Sequence, residues 1–201
     1  MMEVVKINWK TKREMNPTAS RYLVVDYINY RLTKQGITWA NCPPLLSQPT
    51  EIHTTLRKMG DEFEERYAVQ FSDLGSQLNM SQYNAYPTFN TAVGELFHDG
   101  VNWGRIVALF AFSGTLAKKF CQQQMMDLVS SLIDWTSQYL DNQLENWIES
   151  HGGWDGFVEF YEKGNTRRRE SPWDNISGVI KYGMLGAIGA VALGAILTQR
   201  T

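Results

Sequence analysis

The sequence is short of almost everything that chemistry at an active site requires. Its two cysteines, Cys42 and Cys121, stand far apart with no C-x-x-C pair, which excludes a disulfide scaffold and offers no zinc-ligand spacing. Both read as reduced thiols. The three histidines, His53, His98 and His151, are scattered, and there is no H-E-x-x-H, no G-x-S-x-G and no phosphate-binding glycine loop. No catalytic residue, metal site or cofactor is therefore assigned, and the chain reads as a non-enzyme. A net charge of −2 leaves no basic face of the kind that nucleic acid needs. The opening "MMEVVKINWKTKREM" lacks the apolar stretch of a secretory signal, so the Asn79-Met80-Ser81 and Asn175-Ile176-Ser177 sequons read as chance matches. Strand-type alternation is missing as well.

What is present is helix. With 201 residues, 43% hydrophobic and 20% charged, the chain has ordinary globular composition and suffices for one core. Asn16-Pro17 is a start signal, and "TASRYLVVDYINYRLTKQG" places Leu23, Tyr27 and Ile28 on one face before Gly36 ends the helix. "WANCPPLLSQPT" holds three of the six prolines and reads as a connecting loop. From Glu51 to Leu78 one long stripe, Leu56, Gly60, Phe63, Tyr67, Phe71 and Leu74, recurs at helical spacing. Its acids Asp61, Glu62, Glu64 and Glu65 interleave with Arg57, Lys58 and Arg66, as on a solvated face. A short helix runs from Pro87 to Phe97, "HDG" breaks it, and Trp103–Phe120 follows, apolar on all sides like the buried centre of a bundle. "MMDLVSSLIDWTSQYLDNQLENWIES" supplies another amphipathic helix, and Gly152-Gly153 separates it from a last short one carrying Trp154, Phe157, Phe160 and Tyr161.

The C-terminal stretch differs in kind. Residues 182–199, "YGMLGAIGAVALGAILTQ", carry no charge, and 18 residues at 1.5 Å each reach about 27 Å, enough for a thin bilayer. Lys181 and Arg200 flank it, Lys163, Arg167, Arg168 and Arg169 precede it on the side suited to the cytosol, and Gly186, Ala190 and Gly194 make a small-residue stripe. A membrane anchor is expected; the alternative is a buried helix of the domain.

One cation stands where local physics disfavours it. Asn102 is the cap of the apolar helix, so Arg105 falls in its first turn, at the positive end of the helix dipole, a placement that costs roughly 0.3–1 kcal/mol. A carboxylate is wanted nearby. It can come from the chain itself, Glu95 or Asp99, or from a partner.

The segments around this arginine carry a resemblance. "ELFHDGVNWGRIVALFAFSGTL" (95–116) resembles the first homology segment of the Bcl-2 family of apoptosis regulators, and "NWIESHGGWDGFVEFY" (146–161) the second. "LRKMGDEFEERY" (56–67) resembles the third, BH3, and "SRYLVVDYINYRLTKQGITW" (20–39) the fourth, all in the family's order. The likeness is to pro-survival members of the Bcl-xL type. It implies an all-α Bcl-2-like helical bundle around a central hydrophobic helix, plus a C-terminal transmembrane tail helix. The implied layout is a helical domain over 1–162, a basic linker over 163–177 and a tail anchor over 178–201.

The same resemblance implies a groove that receives the BH3 helix of a pro-apoptotic partner, Bax/Bak-like or BH3-only. Arg105 would meet a ligand aspartate while Asn102 and Gly104 dock the ligand backbone. Carried over residue by residue, the groove comprises Phe63, Tyr67, Phe71, Leu74, Glu95, Leu96, Val107, Ala108, Phe112 and Tyr161, each of which could equally be plain core. Gln70 stands where close pro-survival relatives carry a small residue, and the connection between the first two helices leaves no room for a long regulated loop. The expected role is pro-survival, at the cytosolic face of the mitochondrial outer membrane or endoplasmic reticulum, as a hetero- or homodimer. The alternatives are a pore-forming effector of the same fold and a tail-anchored adaptor.

Overall fold

The computed structural model describes residues 19–70, 80–166 and Trp173. The α-helices with described bounds are α1 (Ser20–Lys34), α2 (Glu51–Arg66), α3 (Ala85–Phe97), α4 (Trp103–Gln122), α5 (Met126–Tyr139), α6 (Glu145–Ser150) and α7 (Gly153–Thr166), and residues 68–70 are helical as well. No strand occurs among the described residues.

The architecture follows from α4. Its residues from Trp103 to Gly114 are all buried, so no side faces water and every other layer exists to cover it. Helices α1, α2, α3 and α5 pack directly on it. Phe110 meets Tyr27 of α1 edge to face at 5.6 Å, and Phe112 lies parallel to Phe89 of α3 at 6.3 Å. The hydroxyls inside are absorbed locally: Ser113 and Thr136 each donate to their own helix's carbonyl and face one another at 3.0 Å, joining α4 to α5.

Element boundaries depart from the periodicity in three places. The long stripe breaks at Tyr67, where α2 ends after Arg66, and Phe71 and Leu74 lie outside the described residues. The stretch after Met125 is not one helix: a π-helical turn, Leu140–Leu144, joins α5 to α6 with Leu140 and Leu144 buried. Widening the helix by one residue there keeps both leucines inward, which a uniform 3.6 period does not reveal. Helix α7 runs to Thr166, into the stretch assigned to the linker. The break before it is as expected, with Gly152 and Gly153 at φ +86 and +66, a left-handed pair that side chains rarely adopt. Asn16-Pro17 and the tail over 178–201 lie outside the described residues, and among those described no helix is long and apolar enough to cross a membrane.

The α1–α2 interface overturns one expectation. Arg57, Asp61 and Glu64 are not simply solvated: Arg57 grips Asp26 through Nε at 3.0 Å and through Nη2, while Arg31 binds Asp61 at 2.7 Å and also Glu64. Lys34 at 2.8 Å and Tyr30 at 2.6 Å complete the shell of Asp61. Burial alone would raise the Asp61 carboxyl, but Lys34, Tyr30 and Arg31 outweigh it and hold the group below its usual range. The Asp61 contacts thus stabilise above the ordinary aspartate range and weaken only as the pH falls below it. The sequence signal was Asp26 itself, a carboxylate between Val25 and Tyr27 on a buried face.

The helices of this clasp approach closely because Gly60 has no side chain. A Cβ there would run into Tyr27 Oη and sit 2.7 Å from two ring carbons of a residue that is wholly buried. Gly60→Ala is expected to destabilise the fold by about 1–3 kcal/mol in denaturant titrations. The Tyr27 hydroxyl is buried without a hydrogen-bond partner, so Tyr27→Phe alone should be near neutral and should recover part of the Gly60→Ala loss. Strict additivity of the two changes would show that the ring and the glycine do not collide.

Candidate functional site

The site is built at the N-terminus of α4. Asn102, extended at φ −153, caps the helix with its side-chain oxygen accepting from Arg105 N at 2.8 Å. This fixes Arg105 in the first turn, where its side chain is only 5% exposed. Nη1 donates to the Gly100 carbonyl at 2.7 Å, and Nη2 lies 3.7 Å from Asp99 Oδ2, an ion pair without hydrogen-bond geometry. Nε is buried with no hydrogen-bond partner. Asp99 is shared: its other oxygen faces His98 Nδ1 at 3.0 Å, and that bond, with the charges of Asp99 and Glu95, raises the His98 ring above its ordinary value. The internal carboxylate expected as one option is therefore Asp99, held at a distance, while Glu95 is exposed and makes no ion pair with the arginine.

The remaining predicted residues divide by burial. Leu96, Val107, Ala108, Phe112 and Phe63 are core, at 0–1% exposure, so the plain-core alternative describes them in this state. Gly104 is buried in the first turn of α4. Tyr161, half-buried on α7, reaches across to α2 and donates to Glu62 at 3.1 Å, tying the two helices that frame the site. Gln70 is half-buried just beyond α2.

Sequence reasoning missed what lies on the α2 wall. Trp173 packs against Phe63 with the rings tilted and their centroids 5.2 Å apart, its carbonyl accepts from Tyr67 Oη at 2.9 Å, and it is 4% exposed. A residue assigned to the basic linker thus sits on two predicted groove residues. Its signal was available: Trp173 is a lone large aromatic in "KGNTRRRESPW". Beneath the opposite flank, Trp103 gathers Trp147, Trp154 and Phe157 at 5.0, 6.0 and 5.3 Å, fastening α6 and α7 to the start of α4.

The chain is thus a helical bundle about a buried helix, with a partly satisfied arginine at that helix's N-terminus. A sequence model of the apoptosis regulator proteins of the Bcl-2 family matches residues 56–154. The chain is 37% identical over 183 residues to Apoptosis regulator R1 of Xenopus laevis, covering 89% of this chain and 76% of that one. It is 32% identical over 227 residues to Apoptosis regulator Bcl-2 of Gallus gallus, with 90% and 96% covered. With Bcl-2-like protein 1 of Homo sapiens it shares 32% over 231 residues, covering 90% and 99%. The chain belongs to the Bcl-2 family of apoptosis regulators.

Proposed function

We propose that the chain is a pro-survival receptor for BH3 helices of pro-apoptotic relatives, both Bax/Bak-like and BH3-only, and that it restrains permeabilisation of the mitochondrial outer membrane. The observation that supports this reading is Arg105, a buried guanidinium with its Nε unpartnered and its nearest carboxylate beyond hydrogen-bond reach. An incoming aspartate would complete that coordination and offset the helix dipole together. Apolar anchors of the ligand at i, i+3/i+4 and i+7 would supply the area, and the ion pair would fix the register.

Arg105→Ala should cost such a peptide about 2 kcal/mol or more, roughly thirtyfold in affinity, by calorimetry, with the helical spectrum unchanged. Replacing the peptide's aspartate should weaken binding to the native chain and add little against the variant; equal losses in both would break the pairing.

The Trp173 contacts imply a second element of the reading. A ligand helix lying along Phe63 and Tyr67 would have to displace Trp173. Trp173→Ala should then tighten peptide binding several-fold, mainly by faster association, whereas weaker binding would make Trp173 part of the ligand's own contact surface.

Residues 182–199 are proposed as the membrane anchor, on the cytosolic face of the mitochondrial outer membrane or the endoplasmic reticulum. In cells, carbonate washing should leave the full chain in the membrane and strip a chain ending at Trp173; loss of both would remove the anchor. The role as a whole is tested by adding the protein to mitochondria with an effector and a BH3 activator. Suppressed cytochrome c release is the expected result. Release driven by this protein alone would mark a pore-forming effector, and no effect would mark an adaptor.

A further inference from the structure

His53 is a titratable group that the site above does not use, and its surroundings suit only its neutral form. It lies in the first turn of α2, 1% exposed. Nδ1 is engaged by the hydroxyl of the cap residue Thr50 at 2.7 Å, and Nε2 is buried with no hydrogen-bond partner. Either tautomer therefore leaves one ring nitrogen unsatisfied, which the neutral ring tolerates better than a cation would. The charges acting on it are Asp26 from α1 and Arg57 from α2. Asp26 is already gripped through both oxygens by Arg57, so the anion that acts on the ring is committed, while the positive end of the α2 dipole and Arg57 both oppose a second cation.

We propose that His53 is an acid-sensitive latch on the α1–α2 clasp: uptake of one proton from solvent by its imidazole places a cation in a site that cannot hold it, and the first turns of α2 open from α1. The proton and the exposed ring then reach water together, and Asp26 is contested between Arg57 and the imidazolium. Opening would uncover Ile52 and Leu56, both buried in the closed form. Burial first, and then Arg57, pull the ring below its ordinary value, with Asp26 opposing. A group lowered on folding costs nothing above its unfolded value near 6.5, and stability falls as the pH drops from there towards the folded value. That window lies above the one in which Asp61 titrates, since its neighbours hold that carboxyl below its usual range.

Hydrogen exchange on the full chain tests this. Between pH 7.5 and 5.5, after correction for intrinsic rates, the opening constant of the amides from Ile52 to Met59 should rise by up to about tenfold per pH unit below 6.5, while α4 and α5 stay protected. His53→Gln, which retains a partner for Thr50 but does not titrate, should abolish the rise; replacing the exposed His98 and His151 should not. The latch is overturned if the native amides do not open, if His53→Gln opens equally, or if the ring nitrogens of the native protein titrate by NMR while the amides stay closed. The last measurement requires no variant. If the proposed receptor function also holds, peptide affinity should fall in the same window, because α2 carries Phe63 and ends against Tyr67. Absence of peptide binding at every pH would count against that function and leave the latch standing on the exchange data.

Discussion

A helix without a polar side is the constraint from which the rest of this molecule follows. Nothing on α4 between Trp103 and Gly114 can face water, so the chain must wrap it, and the amphipathic faces of α1, α2, α3 and α5 find their common partner there. Burial of the helix also buries its first turn, and with it Arg105. A guanidinium in that position would be disfavoured by the dipole and by desolvation together. The carbonyl of Gly100 and the distant Asp99 satisfy it only in part, so a packing requirement leaves a buried cation incompletely paired.

The second dependence is polar. Helix α2 touches α4 with one face and α1 with another, and on the α1 side the apolar contact is bounded by Asp26–Arg57 at one end and Arg31, Lys34 and Asp61 at the other. Such half-buried pairs contribute little net stability when intact, yet removal of one partner leaves a charge stranded. Their effect is register: with Gly60 under the Tyr27 ring, α2 has one way to lie against α1. The aromatic wall of Phe63 and Tyr67 is oriented by that choice, and Trp173 packs on the wall.

Much of the architecture was legible in the sequence because helical periodicity is a local property. The break at Gly152-Gly153, the Asn102 cap, the apolar centre and the loop before Glu51 all follow from side-chain volume, φ preference and capping within a few residues. The π-helical turn at Leu140–Leu144 and the end of α2 at Tyr67 did not follow, because each depends on where a distant helix lies rather than on local preference.

The candidate site divides along the same line. The sequence by itself determined that Arg105 stands in the first turn of an apolar helix, capped by Asn102, with Asp99 and Glu95 as the chain's own candidates for its counter-ion. Only the tertiary structure decided between those two, because Asp99 at 3.7 Å and Glu95 on an exposed face differ in where α3 ends relative to α4. Only it decided that Arg57, Asp61 and Glu64 belong to α1 rather than to water, and that Trp173 lies on Tyr67. Contacts between residues 30 or 106 positions apart are set by how helices pack, and no local pattern encodes which face of one meets which face of another.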